Sequence, residues 1–354
     1  MNEVLDQWRD AFRTAADERE PVQLRGGGTK DFYGRAPQGK VFDTRGYAGI
    51  VSYEPTELVV TVRAGTRVDE LSALLAEHNQ WLAFEPPRFG ANATVGGMVA
   101  CGLSGPRRMA VGALRDFVLG IKIMNGAGEL LSFGGEVMKN VAGYDVSRLM
   151  AGSLGTLGAI CEVSLKVLPR PVMEATLAFE CSELEALECM NEWAAQPLPV
   201  SATAWYEGVL RVRLSGARAA VEAAIERLGG ARIADDEAAA WWESVREQRH
   251  DFFAGDLPLW RIALPTITPP LTLAGPQWIE WGGGQRWLRS LAPAVELRAV
   301  AAALGGHATL FRGGDRAGAV FQPPAAPLME IHRRLKERFD PAGIFNPGRL
   351  YGEI

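Results

Sequence analysis

The sequence predicts an α+β chain of two domains, and three observations carry that reading. Segments read as strands run repeatedly into glycine loops over the first 170 residues. Pro169-Arg170-Pro171 then stops a long strand pattern, and beyond it strands and amphipathic helices alternate as in an α+β layer on an antiparallel sheet. At 354 residues the chain has room for both, on a scale of roughly 100–200 residues per domain.

Taken in order, Val4, Leu5, Trp8, Phe12 and Ala15 recur at helical spacing, and Pro21 forbids continuation. Val22-Gln23-Leu24 reads as a short strand entering Arg25-Gly26-Gly27-Gly28-Thr29. Residues 58–62 form a strand, Gly65-Thr66 a turn and cap, and Val68, Leu71, Leu74 and Leu75 the stripe of a helix ending near His78; residues 81–84 return as strand. Strands at 117–124 and 129–133 flank Asn125-Gly126-Ala127-Gly128, the punctuation of a hairpin. Asp145 caps a helix carrying Val146, Leu149 and Met150, and 159–168 is one long strand.

In the second domain, strands at 175–181, 208–214, 259–264 and 307–311 alternate with helices marked by Leu184, Leu187, Met190 and Trp193, by Val221, Ala224, Ile225 and Leu228, and by Trp241, Trp242 and Val245 behind Asp235-Asp236; 297–304 is helical. The stretch 269–284 is rich in Pro and Gly and reads as irregular. The tail carries a helical stripe of Leu328, Ile331, His332, Leu335 and Phe339, then many turn formers around Ile344 and Phe345, which predicts a docked loop.

Composition excludes several classes. A net charge of −5 gives no basic footprint for nucleic acid. The first twenty residues carry acids throughout and read neither as a secretory signal nor as a transit peptide, and no apolar run reaches spanning length, so a cytoplasmic location is expected. Cysteines at 101, 161, 181 and 189 show no C-x-x-C and no histidine at ligand spacing, so neither a zinc site nor an iron–sulfur cluster is written here.

Glycine is concentrated where backbone must come close to something: residues 25–160 hold 23 of the 40 glycines. Backbone N–H groups can converge on a diphosphate only where no Cβ blocks the approach. Thr94 is expected to cap a short helix from Val95, aiming the unpaired N–H groups of that helix at the anion. Gly28-Thr29-Lys30 has Lys and Thr in the wrong order for a P-loop, and no G-x-G-x-x-G opens a strand-to-helix turn.

Four motifs, Arg25-Gly26-Gly27-Gly28-Thr29, Thr94-Val95-Gly96-Gly97, Gly152-Ser153-Leu154-Gly155-Thr156-Leu157-Gly158 and Ile344-Phe345-Asn346-Pro347-Gly348, together resemble the flavin signature of the FAD-linked oxidases of the vanillyl-alcohol-oxidase (PCMH-type) fold. More closely, the chain is similar to the FAD-binding subunits of bacterial glycolate oxidases, through residues 96–103, 134–145 and Trp281-Gly282-Gly283. The resemblance implies a two-part FAD-binding domain, residues 1–172 and a returning tail 326–354, with residues 173–325 a smaller α+β cap over the flavin. It implies FAD contacts from Arg25, Gly26, Gly27, Gly28, Thr29, Thr94, Val95, Gly96, Gly97, Gly102, Gly155, Thr156, Gly158, Ile160 and Asn346. It also implies two partners, a larger FAD-binding subunit and an iron–sulfur subunit that passes electrons to the membrane, with this chain at most peripheral there. Covalent flavin attachment needs a His or Cys beside the ring; the first glycine loop has neither and Cys101 reads as packing, so the FAD is expected to be non-covalent.

Oxidation of a small 2-hydroxy acid needs a base for the hydroxyl proton and a cation for the carboxylate. Of four histidines, His78 ends a helix, His250 lies in a charged stretch and His332 sits on the tail stripe, leaving His307 as the candidate. Related hydroxyacid dehydrogenases carry H-x-G-D-G-N-x-H in the cap; here 305–315 has lost that pattern. Arg261, Arg286 and Arg312 can serve a carboxylate but read first as solvated surface, and Trp278, Trp281 and Trp287 read first as core. Two readings stay open, an oxidising subunit and a flavin-binding scaffold or electron relay; a stand-alone NADPH-dependent flavin reductase is a remote third.

Overall fold

The computed structural model describes residues 3–135 and 145–354; of the stretch 134–145, residues 136–144 lie outside the described residues. The first elements are α1 (Glu3–Glu18), β1 (Val22–Arg25), β2 (Lys40–Asp43), β3 (Ile50–Glu54), β4 (Val59–Arg63), α2 (Val68–Glu77), β5 (Gln80–Trp81) and α3 (Val95–Cys101). Next come α4 (Arg108–Val111), β6 (Val118–Met124), β7 (Leu130–Gly134), α5 (Val146–Leu149), β8 (Ala159–Lys166) and β9 (Leu168–Pro169). There follow β10 (Met173–Glu180), α6 (Glu183–Ala194), β11 (Val200–Tyr206), β12 (Val209–Gly216), α7 (Arg218–Leu228), β13 (Ala231–Ile233) and α8 (Asp235–Arg246). The last are β14 (Leu259–Ala263), β15 (Gln277–Glu280), β16 (Gln285–Arg289), α9 (Ala294–Ala303), β17 (His307–Arg312) and α10 (Ala326–Phe339).

The chain divides into two compact units, Met1–Leu103 with Ala113–Pro169 and Asp315–Ile354, and Ser104–Gly112 with Arg170–Gly314. The sequence gives no sign that 104–112 leaves the first unit. The reason is local: the buried Arg107 guanidinium pairs with Glu174, and the Trp281 indole N–H donates to Gly105 O at 3.1 Å.

In the first unit, β1 and β2 pair in parallel, and an antiparallel sheet runs in the order β3-β4-β8-β6-β7. Its middle strand β8 is buried on both faces, so each polar residue on it needs a partner. Glu162 accepts from Tyr47 OH and faces Lys122 Nζ, both at 2.7 Å, and Ser164 Oγ lies 2.9 Å from Thr61 Oγ1. Cys161 on the same strand is deeply buried, which pushes its thiol up to about 12. The expected strand 159–168 is interrupted where Val167 turns its N–H to Leu58 O. One face of α1 buries Leu5, Trp8, Phe12 and Ala15, and Phe12 meets Phe345 edge-on at 4.8 Å, docking the tail as its turn formers predict. Burying such an aromatic contributes about 2–3 kcal/mol.

The second unit is one antiparallel sheet in the order β13-β10-β12-β11-β15-β16-β14-β17. The stretch 269–284 is not irregular throughout: Gln277–Glu280 is β15, near the middle of the sheet, with Trp278 registered against Trp287. Only five residues separate Pro276 from Gly282, and the strand is four of them, which hides the alternation from a sequence window. Trp278 is wholly buried and stacks on Tyr206 and Trp241, so the core reading of this tryptophan holds.

Candidate functional site

The first glycine loop follows β1 and is built for backbone alone. A Cβ at Gly27 would stand 1.5 Å from Asn92 O, one at Gly26 2.3 Å from Thr94 Oγ1, and Gly28 has φ +72°. These glycines therefore let two stretches of main chain touch each other. The consequence for a ligand is separate: among the described residues, the N–H groups of Gly26, Gly27, Gly28 and Thr29 meet no protein acceptor. Four consecutive donors are left there for a ligand, in a loop braced by Arg25, whose Nε donates to Asp31 Oδ2 at 2.8 Å.

Helix α3 corrects one expectation. Thr94 caps it as predicted, accepting from Gly97 N at 3.3 Å, but its first-turn donors are engaged by protein. Val95 N–H goes to Thr66 O at 2.9 Å and Gly96 N–H to Ala64 O at 2.8 Å. The helix tip thus offers no row of unpaired donors to an anion. Val95 is wholly buried, and Gly96 is required because a Cβ would stand 2.8 Å from that of Ala64.

A third loop, 152–158, is held by the tail. Asn346, at φ +40°, accepts from Leu24 N–H through Oδ1 at 2.8 Å and donates through Nδ2 to Leu154 O at 2.6 Å. Behind it, Lys336 Nζ donates to Thr156 O at 2.8 Å, Phe345 O at 2.7 Å and Asp340 Oδ2 at 2.7 Å.

Two hollows adjoin along these loops, sharing Arg25, Gly26, Gly97, Leu154 and Asn346. Gly27, Gly28, Thr29 and Thr94 line the first; Gly96, Gly155, Gly158 and Ile160 line the second. Three expected contacts are elsewhere. Val95 lies beneath; Gly102 ends α3 at φ +63°, where a Cβ would meet Gly152 N at 2.8 Å. Thr156 lines a different hollow with His332, and its hydroxyl donates to Ser153 O at 2.8 Å. Two buried cations that the sequence reading missed line the first hollow, Lys30 and Arg349. Lys30 directly follows the glycine loop in sequence, and that adjacency is its one signal there. Burial and the neighbouring Arg316 lower the pKa of Arg349.

The arrangement fits a dinucleotide with an anionic centre: the unpartnered main-chain donors of Gly26 to Thr29, with Lys30 held by Arg88 O and Arg349 by Asp31 O, stand beside apolar walls from Leu24, Ala100 and Leu154. Cys101 lines the first hollow too, half-buried, and desolvation raises its thiol pKa, which disfavours the reactive thiolate.

The second unit holds the catalytic candidates. His307 opens β17 with an exposed side chain, on the same sheet face as Arg261 because Arg261 pairs with Thr309 and Ala263 with His307. Desolvation, then Arg261 and Arg108, lower its pKa. Arg108 itself lies over the Trp281 ring at 4.4 Å. Arg286 is not a solvated surface group: it is wholly buried, donating to Gly283 O and Thr268 O, each at 2.8 Å. Arg312 donates to Gln248 Oε1 at 2.7 Å.

Fold and site define an FAD-binding oxidoreductase, and comparison with known proteins agrees. Residues 3–134 match the family described as FAD binding domain. A solved structure of alkyldihydroxyacetonephosphate synthase superposes with TM-score 0.65 over 96% of this chain and 74% of that one; at 14% identity it shows the fold alone. D-lactate dehydrogenase of Archaeoglobus fulgidus is 30% identical over 54% of this chain and 43% of its own. Glycolate oxidase subunit GlcE of Escherichia coli (strain K12) is 48% identical over 96% of this chain and 95% of its own. The chain belongs to the family of glycolate oxidase subunit GlcE, among the FAD-dependent oxidoreductases. No helix among the described residues is long and apolar enough to cross a membrane.

Proposed function

We propose that this chain is the FAD-binding subunit of a multi-subunit glycolate oxidase that converts glycolate to glyoxylate, working with a larger FAD-binding subunit and an iron–sulfur subunit that takes the electrons onward. One observation carries the reading: the four adjacent donors of Gly26 to Thr29, beside Lys30 and Arg349. Those groups would hold the diphosphate, while Gly96, Gly97, Gly155, Gly158 and Ile160 leave room for the rest of the cofactor. Bound FAD supplies the acceptor for a hydride equivalent. A non-covalent cofactor fits a first glycine loop without His or Cys and a Cys101 whose thiol pKa burial raises.

The first unit is the FAD-binding part, tail included, and the second carries the substrate side. There the lowered pKa leaves His307 neutral near pH 7, able to take the hydroxyl proton on a ring nitrogen, with Arg261 on the same face for the carboxylate. The location is cytoplasmic, with any membrane contact made through partners.

A second reading, flavin scaffold or electron relay, is favoured by the single imidazole at 307–312, where related dehydrogenases carry a paired pattern. One experiment separates the two. The purified chain, incubated with FAD and then freed of unbound cofactor by gel filtration, is expected to stay yellow; anaerobic glycolate is then expected to bleach its visible flavin band. Bleaching only after the larger subunit is added would place the chemistry there, and a chain that emerges colourless from the column would remove both readings. Bleaching by NADPH instead would identify a reductase.

A further inference from the structure

Lys336 lines neither hollow, yet its ammonium group is fully engaged by protein. It is 8% exposed, and its three ammonium protons meet three acceptors, Thr156 O, Phe345 O and Asp340 Oδ2, each at 2.7–2.8 Å. Two of these are main-chain carbonyls in different loops. Thr156 follows Gly155, which lines the second hollow, and Phe345 precedes Asn346, which lines both. The spacing is tight, because a Cβ at Gly155 would stand 2.7 Å from Asn346 Nδ2. Asp340, 1% exposed, holds the second loop from its other side, accepting from Ile344 N–H at 3.1 Å and Phe345 N–H at 2.8 Å.

A buried ion pair is a poor device for stability, since apolar residues of similar volume often serve as well or better. Its advantage is directional: three donors with three fixed acceptors allow one arrangement of the segments that carry them. We infer that Lys336 is a positioning residue for the cofactor, setting the separation of loop 152–158 from loop 344–349 and hence the width of the hollows between Leu154, Gly155 and Asn346. The inference rests on the reading that those hollows hold FAD. Asn346 ties the two loops on the ligand side, and Lys336 ties them from behind.

The test uses the full chain and reads FAD binding, independent of turnover. Lys336→Met keeps the stem and removes the donors. At a temperature where its circular dichroism shows the apo variant folded, its dissociation constant for FAD, followed by quenching of flavin fluorescence, is expected to rise at least tenfold over the parent. The same dissociation constant in a folded variant, with only a lower Tm, would reduce Lys336 to a structural role and overturn the inference. Hydrogen exchange on the parent chain decides the matter even if that variant does not fold. Adding FAD is expected to slow exchange at Ile344 and Phe345, whose amides donate to Asp340, together with Gly26 to Thr29. Slowing at Gly26 to Thr29 alone would overturn the inference and leave the FAD reading intact; no slowing at either would overturn both.

Discussion

The Asn346 side-chain amide donates to the Leu154 carbonyl at 2.6 Å, across 192 residues of sequence, while its oxygen accepts from Leu24 N–H at 2.8 Å. One side chain thus joins the tail, the third glycine loop and β1, and both its polar atoms are engaged by protein. Asn346 forms part of the frame of the hollows, with one of its two amide protons spent on Leu154 O. Its left-handed φ of +40° suits asparagine among non-glycine residues.

Replacing Asn346 by alanine leaves the Leu24 donor and the Leu154 acceptor without their partner. At about 1–3 kcal/mol for each group left unsatisfied, Asn346→Ala is expected to cost about 2–6 kcal/mol in urea unfolding of the apo protein. Asn346→Asp keeps shape and loses the donor, so an oxygen faces the Leu154 carbonyl. The aspartate is expected to be no more stable than the alanine; recovery of parental stability would show that the bond to Leu154 contributes nothing.

How far this was legible from sequence depends on what each residue type announces. The stripe Leu5, Trp8, Phe12 and Ala15 predicted its helix and buried face, because helical period alone decides them. The glycines announced close approach but not to what. Gly27 faces Asn92, Gly96 faces Ala64 and Gly158 faces Met124, all protein, whereas the groups left for a ligand are N–H donors that every residue possesses. Lys336 and Arg349 were hidden because a cation's burial follows from contacts made by residues far along the chain. Strand β15 was hidden by its brevity, and the departure of 104–112 by partners at Glu174 and Trp281.

Two glycines separate the fold from the site. A methyl group at Gly27 would overlap Asn92 O at 1.5 Å and C at 2.4 Å, both backbone, so Gly27→Ala must displace main chain. It is expected to lower apo stability by several kcal/mol or prevent folding. At Gly97 the same methyl meets only Thr94 Oγ1, at 3.2 Å, inside α3, where alanine is favoured over glycine by up to about 1 kcal/mol. Gly97→Ala is therefore expected to keep or raise apo Tm while weakening FAD at least tenfold, because Gly97 lines both hollows. Undiminished FAD affinity in this variant would count against placing the cofactor there.

Acid should loosen the second unit through His250. Its Nδ1 accepts from Phe252 N–H at 3.2 Å, capping the turn Asp251–Phe253, and that requires an unprotonated nitrogen. Burial against Trp278, 4.8 Å away, is the main cause that lowers its pKa from 6.5. With the folded value below the unfolded one, the unfolded chain binds the extra proton first. The stability is full above pH 6.5 and is lost as pH falls below it toward the folded value. Thermal melts between about pH 7.5 and 5 are expected to show falling Tm, and His250→Asn, an acceptor that does not titrate, to flatten the fall. His307 and His332, lowered in the same sense, leave a residual slope. Identical slopes in parent and variant would show that His250 is protonated without loss of its cap.

Arg286 and Arg261 make opposite predictions although the sequence treats them alike. Burial lowers Arg286 to about 10, still protonated at neutral pH, and its partners are Gly283 O, Thr268 O and, at 3.5 Å, Glu183. Removing one member of such a buried set typically costs about 3–5 kcal/mol, so Arg286→Met is expected to be strongly destabilised. Part of that cost is the carboxylate left behind: Glu183 is raised by burial and lowered by Arg286, and loses its counter-charge in the variant. A double-mutant cycle with Glu183→Gln should therefore show the second substitution costing less in the Arg286→Met background than alone, by about 0.5–3 kcal/mol. Arg261, half-buried beside His307, is expected to behave the other way, with Arg261→Gln changing stability by less than about 1 kcal/mol while raising KM for glycolate in the assembled enzyme. If instead Arg286→Met were stable and lost glycolate binding, Arg286 would be the carboxylate's partner and the assignment of Arg261 would fall.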